Sequence, residues 1–238
     1  MLSRPALWAE LVPETELRGW RFRQHENSID SMSNPWLDVP LEDYEGHMKS
    51  PGVQQLAALS SLFAEALRLY SPTSVAILGI AGGNGLEHID DRITRRVVGF
   101  DVNHAYLEAV RQRYSQMAGL ELYRLDLSAE IVDVAPVQLV HAALVFEHAG
   151  MSLCLKNAIS LVAKEGALSA ILQLPAESEP EVSATAFPSM QALKSHFTLI
   201  EPSKLCGALQ KCHFRISHET VRPLQVGKRF WMGVFCRE

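Results

Sequence analysis

Short apolar runs and helically spaced apolar positions take turns along this chain. The runs Ser74 to Leu78, Arg96 to Phe100, Leu120 to Leu125, Val137 to Val145 and Ala167 to Leu174 are too short for helices. Most lack strict polar alternation, which predicts strands covered on both faces. Between them, Leu86 to Arg92, Asn103 to Met117 and Ser152 to Ala163 read as helices, the last closed by Gly166. This alternation predicts an α/β domain around a largely parallel sheet. Ahead of it, Leu56, Leu59, Phe63, Leu67 and Tyr70 recur at helical spacing, with Ser50 as N-cap and Pro51 in the first turn. After Leu174 the pattern changes. Phe187 to Phe197 and Ser203 to Lys211 read as helices. Phe214 to Val221 and Arg229 to Cys236 read as strands joined by a Pro223 to Lys228 turn. A link that short requires an antiparallel pair.

Residues 1–50 break the alternation. They scatter Trp8, Trp20, Trp36 and Tyr44 among prolines and acidic groups, and read as an N-terminal arm or lid preceding a domain over 51–238. No repeat or low-complexity tract divides the rest. At 238 residues, 47% hydrophobic and 21% charged, the chain suits one large globular domain.

The charge balance narrows the partners. Twenty-two Lys and Arg against 27 Asp and Glu give −5, which disfavours nucleic acid. Arg4, Pro5 and Glu10 interrupt the first ten residues, unlike a secretory signal. The longest apolar run, Ala142 to Phe146, is too short to span a bilayer. A cytoplasmic location is expected, with no membrane partner and a monomer or homodimer as assembly. Cys154, Cys206, Cys212 and Cys236 form no CxxC pair and read as reduced thiols. Cys206, Cys212 and His213 lack the paired spacing of a zinc site, so no metal is expected.

The sharpest local feature is Val75 to Gly85, where an apolar strand runs into Gly79-Ile80-Ala81-Gly82-Gly83-Asn84-Gly85. Missing side chains let a ligand approach backbone N–H groups at a helix start; a plain tight turn has the same composition. Asp101 ends the second strand 22 residues after Gly79, the spacing at which a carboxylate meets a ribose diol. Asp126 ends the third strand, where it can accept from an adenine amino group. For each Asp the alternative is a helix N-cap.

These residues resemble the class I S-adenosylmethionine-dependent methyltransferase superfamily, and within it small bacterial and archaeal methyltransferase-domain proteins of unassigned substrate. The likeness spans Trp36 to Glu238. It rests on Asp43-Tyr44-Glu45-Gly46-His47-Met48, Leu78 to Gly85, Val98-Gly99-Phe100-Asp101-Val102-Asn103, Ala143-Leu144-Val145-Phe146-Glu147-His148 and Gly227-Lys228-Arg229-Phe230-Trp231. It implies a Rossmann-like seven-stranded, mostly parallel sheet with a C-terminal antiparallel strand, helices on both faces and an N-terminal lid. It also implies S-adenosyl-L-methionine as cofactor, leaving S-adenosyl-L-homocysteine as product. Gly79, Ile80, Ala81, Gly83, Asn84 and Gly85 would cradle the methionine part, Asp101 and Val102 the ribose, and Asp126 and Leu127 the adenine. Ala143 to His148 would line the reaction chamber, and Tyr44 would close over it. Two positions depart from the family pattern. Ile77 stands where an acidic residue usually precedes the loop, and Gln138 where many relatives carry Asp.

Methyl transfer gains most from alignment and water exclusion. A base helps when the acceptor is a hydroxyl or ammonium. His47, His148 and Glu147 are the candidates; His141, inside a strand, reads as a core residue. The strand ending near Ala143 lacks the Asn-Pro-Pro-Tyr sequence of amino-methylating nucleic-acid enzymes, so the expected acceptor is an O or N atom of a small molecule. Glu177, Glu179 and Glu181 lie in an acidic stretch, Pro175 to Pro188, that either covers the site or is a solvated connector. Two other readings stay open: a catalytically silent relative, suggested by Ile77 and Gln138, and a nicotinamide-dependent oxidoreductase. The latter uses the same loop logic but leaves Asp126 and the closing strand pair unexplained.

Overall fold

A computed structural model describes residues 34–176, 185–224 and 227–238. Trp8, Trp20, most of the N-terminal arm, Glu177, Glu179, Glu181 and part of the Pro223 to Lys228 turn lie outside the described residues.

Seven strands form one sheet: β1 Ser74–Leu78, β2 Arg96–Asp101, β3 Leu120–Arg124, β4 Val137–Ala143, β5 Val162–Leu174, β6 Phe214–Pro223 and β7 Arg229–Arg237. Their order is β3-β2-β1-β4-β5-β7-β6. The first five are mutually parallel, whereas β7 runs antiparallel to both β5 and β6. The seven strands and the closing antiparallel pair are those expected from the pattern.

Alternate residues of the central strands feed two cores. Ala76, Leu78, Val98, Phe100, Val140 and Ala142 enter one core. Val75, Ile77, Val97 and Leu139 enter the other, which explains why these segments read as unbroken apolar runs. Helices α5 (Leu153–Leu161) and α7 (Pro202–Gln210) cover the first face through Cys154, Leu155, Ala158, Leu205 and Leu209. Helices α2 (Gln55–Tyr70) and α3 (His104–Arg113) cover the second through Leu59, Leu62, Phe63, Leu107 and Val110. His141 is buried there, with Nδ1 at 3.2 Å from Ser169 Oγ and its ring 4.5 Å from that of Phe63, a core residue as expected.

Several boundaries differ from the pattern, each for a local reason. Ser50 does not start α2. It ends α1 (Leu41–Lys49), its hydroxyl donating to His47 O at 2.8 Å, and α2 begins at Gln55 after Gln54 turns through φ 50°. β4 stops at Ala143 because Leu144, at φ 56°, diverts the chain into α4 (Val145–Ala149). Gly166 closes no helix. It lies inside β5, where an added Cβ would sit 2.9 Å from Gln138 O, at the register shift between β4 and β5. The expected helix over Leu86 to Arg92 shortens to a single 3-10 turn, Leu86–His88. Phe187 to Phe197 divides into α6 (Pro188–Gln191) and a 3-10 turn, Ala192–His196.

Candidate active site

The carboxyl ends of β1 to β4 open into one pocket, roofed by α1 and the segment around α6, the place where open α/β sheets bind ligands. Its wall includes Gly79, Ala81, Asp101, Val102, Asp126, Leu127 and Ala143. Four strand ends therefore meet at one cavity.

Asp101 is 7% exposed. Its Oδ2 accepts from the N–H of Ala81 and its Oδ1 from that of Asn103, both at 2.9 Å. Burial pushes its carboxyl up to about 6 despite these bonds. It is not the N-cap of α3; Asn103 is, accepting from Ala105 N–H at 3.0 Å. The Asn103 amide also donates to Trp36 O and Val39 O, tying the entry segment to β2. Asp126 does cap the turn after β3, accepting from Ser128 N–H, and also lines the pocket, where Asn34 Nδ2 donates to its Oδ2 at 2.9 Å. No helix follows Asp126, so it caps a turn rather than a helix, and its pocket-facing side remains in the wall.

The small-residue loop serves ligand approach only in part. Gly79 and Ala81 face the pocket. Gly83 and Gly85 instead have φ of +82° and +94°, and a Cβ there would lie 2.7 Å from the Tyr114 ring or 2.8 Å from Phe63. Gly82 makes room for the ion pair of Glu45 with Arg113, whose Nη1 also donates to Gly82 O at 3.0 Å. Asn84 donates to Leu56 O at 3.0 Å. Ile80 fills the space left by Gly99. Ile80, Gly83, Asn84 and Gly85 thus shape the loop from behind the wall.

Helix α1 brings Tyr44 and His47 into the pocket. It is held by Ser189 Oγ donating to Asp43 at 2.6 Å and by Phe187 against Gly46. Tyr44 lies 6.2 Å, centroid to centroid, from Tyr106, another lining residue whose hydroxyl is buried without a partner. Burial and the nearby Asp101 raise both phenols well above their usual range.

The histidines differ in setting. His148 lies edge-on to Trp36 at 4.9 Å and to Phe197 at 5.2 Å, and burial pulls it down to about 4. His47 is 7% exposed with Nδ1 buried and unpartnered. Burial lowers its pKa, and the positive charges of Lys228 and Lys194 lower it further. Glu147 does not line the pocket. Its Oε1 accepts from Gln173 N–H at 2.9 Å, its Oε2 is buried without a partner, and burial pushes the carboxyl up to about 7.

Sequence reading gave no role to Tyr106, Gln55, Gln173 or Lys228, all in the wall. Tyr106 satisfies the core periodicity of α3, and the others come together only through the fold. The Gly227-Lys228-Arg229 string was the available signal, but it names no partner. Neither departure from the family pattern reaches the cavity. Ile77 is packed in the core, and Gln138 caps the far end of the sheet by accepting from Thr73 N–H at 2.7 Å. Among the described residues, no group of three His, Cys, Asp or Glu side chains is placed to hold a metal, and no helix is long and apolar enough to cross a membrane.

No family model matches the chain, and no curated protein matches it by sequence. Solved structures do match. The N-methyltransferase NodS of Bradyrhizobium japonicum WM9, in complex with S-adenosyl-l-homocysteine, aligns with a TM-score of 0.59 at 12% identity, over 79% of this chain and 88% of its own. Magnesium protoporphyrin IX methyltransferase of Synechocystis PCC 6803 aligns at 0.56 and 13% identity, over 77% and 83%. The cyclase SpnF aligns at 0.63 and 9% identity, over 84% and 92%. With the β3-β2-β1-β4-β5-β7-β6 order and its antiparallel β7, these likenesses mean that the chain has the fold of the class I S-adenosylmethionine-dependent methyltransferases.

Proposed function

We propose that this protein is an S-adenosylmethionine-dependent methyltransferase acting on an O or N atom of a small molecule. The observation that carries the reading is the convergence of buried Asp101, Asp126 and the open backbone at Gly79 and Ala81 on one cavity. Asp101 suits a ribose diol because its carboxylate, already aimed by the Ala81 and Asn103 N–H groups, can accept further hydrogen bonds on its remaining lone pairs. Asp126, fixed by Asn34 and Ser128, suits the adenine amino group, with Val102 and Leu127 on the apolar faces. When bound, the cofactor supplies an electrophilic methyl carbon. The chain's own part is to orient the acceptor and exclude water. Tyr44, Trp36 and α1 supply that cover. His47, kept neutral and with a free Nδ1, is the better placed proton acceptor. His148 is too weakly basic for that work at neutral pH, and Glu147 holds Gln173 from behind the wall.

The sheet order favours this reading over a dehydrogenase, whose doubly wound sheet runs 3-2-1-4-5-6 without the inserted antiparallel strand. A catalytically silent methyltransferase-like protein that has lost cofactor binding is the second reading; Ile77 in place of the usual acidic residue favours it. Calorimetry with S-adenosylhomocysteine and with NADH separates the three. Micromolar binding of S-adenosylhomocysteine that is lost in Asp101→Ala is expected. Preference for NADH points to an oxidoreductase, and no binding of S-adenosylmethionine at millimolar concentration points to the silent protein.

A further inference from the structure

Four of the rings that line the pocket form one row. Tyr44 of α1, Trp36 of the 3-10 turn Pro35–Asp38, His148 of α4 and Phe197 reach it from four segments. Ring centroids lie 5.7 Å apart for Tyr44 and Trp36, 4.9 Å for Trp36 and His148, and 5.2 Å for His148 and Phe197. Successive planes meet at 72°, 82° and 64°, so the row is folded into corners rather than laid flat. Trp36 and Tyr44 are held in the roof by packing against Val39, Met190 and Leu193. A hydrogen bond from Thr198 N–H to Glu147 O, 2.9 Å long, keeps the segment that carries Phe197 against α4. His148, uncharged at neutral pH and with its buried Nδ1 unpartnered, adds a neutral aromatic ring to the row. The polar seats of the cofactor, Asp101 and Asp126, come instead from the strand ends that form the floor.

We infer that the methyl acceptor is an aromatic small molecule whose flat ring sits in the corner made by Trp36, His148 and Phe197. The inference rests on the methyltransferase reading and names the substrate class for that site. Aromatic rings attract one another in offset-stacked and edge-to-face arrangements, with centroids about 4.5–7 Å apart. A flat ring set in a corner near a right angle stacks on one wall and meets the other edge-on, so it meets both preferences at once. A saturated ring of the same size meets neither. A hydroxyl or N–H carried by the acceptor ring can also pair with the uncharged imidazole of His148. A cationic amine fits this corner less well. Asp101 and Asp126 are the only carboxylates among the described lining residues, and both are on the cofactor side. The cofactor's sulfonium, when bound, already places one positive charge in the cavity, which repels a second. The rings that exclude water from the transfer are thus also the surface that selects the acceptor.

Phenol serves as the probe, with cyclohexanol as the saturated ring of the same size and tetramethylammonium as a cation. Binding is followed on the NMR signals of the probes themselves, so that one readout serves every variant. Each titration is done in the free protein and in protein saturated with S-adenosylhomocysteine, whose own binding is measured separately by calorimetry. Expected is saturable binding of phenol in both states, about tenfold tighter than that of cyclohexanol. The phenol affinity should fall about fivefold in Phe197→Leu and in Trp36→Leu, which keep an apolar side chain but lose the ring, and be retained in Phe197→Tyr. The preference for phenol over cyclohexanol is read in the unaltered protein and decides the matter even where a variant fails to fold. Equal binding of the two overturns the proposal, as does an unchanged phenol affinity in both leucine variants. Tighter binding of tetramethylammonium than of phenol overturns it too, making the rings a seat for a cationic acceptor. Phenol binding abolished by S-adenosylhomocysteine overturns it differently, assigning the rings to the cofactor's adenine. Failure of S-adenosylhomocysteine to bind strikes the methyltransferase reading instead, while the free-protein titration still decides whether the aromatic seat exists.

Discussion

The two walls of the pocket are built in opposite ways. The cofactor wall comes from the ends of β1, β2 and β3, within about fifty residues of chain, and its polar groups are acidic and fixed by backbone N–H groups, as Asp101 is by Ala81 and Asn103. The opposite wall gathers His47, Gln55, Gln173, Met190 and Lys228 from α1, α2, β5, α6 and the residue before β7. A wall assembled from consecutive strand ends can only change when the strands do. A wall assembled from separate elements can change one piece at a time, which would suit a constant cofactor facing a variable acceptor.

Breaking the cofactor wall should have the largest effect. Asp101→Asn keeps the shape but loses the charge and an acceptor, and should weaken S-adenosylhomocysteine binding about a hundredfold, close to 3 kcal/mol, measured by calorimetry. An unchanged affinity would mean that Asp101 only organises the loop.

Behind the opposite wall, Glu147 offers a test of stability rather than binding. Its pKa in the fold, about 7, stands above the ordinary 4.5. Its contribution is therefore fully present below about pH 4.5 and is lost as pH rises through 7. Glu147→Gln keeps the acceptor for Gln173 N–H and should flatten the pH dependence of denaturant stability, by up to about 3 kcal/mol at pH 8.5. If wild type and variant have parallel profiles, the carboxyl is ionised throughout.

A smaller effect follows from Asp101 itself. Its carboxyl titrates near 6, and the ribose requires the ionised form. Affinity for S-adenosylhomocysteine should fall up to tenfold per pH unit below 6, a dependence missing in Asp101→Asn. Asn34→Ala, which removes one hydrogen bond to Asp126, should cost a few-fold in the same measurement, about 1 kcal/mol. At the bottom of the scale, Gln138→Asp should leave that affinity within about twofold, because Gln138 caps the opposite end of the sheet; a larger change would show that the two ends of the sheet communicate.

The difference between the walls also decides what could be read from sequence. Asp101 and Asp126 were legible because apolar runs fix where strands end, and the ends fix the site. Tyr106 was not, because a lining residue on α3 follows the same spacing as a core one. Lys228 was visible as part of a short string yet meaningless there, since its neighbours Gln55 and His47 are more than 170 residues away in the chain. Ser50 and Gly166 misled through chemistry that fits two uses. A serine beside a proline marks a helix start, but this one closes the preceding helix. A glycine after a helix marks its end, but this one allows β5 to approach β4.

The insertion of β7 between β5 and β6 has a consequence for synthesis. β6 leaves the ribosome before β7, its neighbour in the sheet, and β5 likewise waits with one edge unpaired. The nascent chain therefore carries an open β5 edge until β7 threads into place, a long-range step that is intrinsically slow and exposes sticky strand edges. The same step brings Lys228 to the pocket. A chain that has not finished folding thus has a nearly complete cofactor wall, while the opposite wall still lacks Lys228.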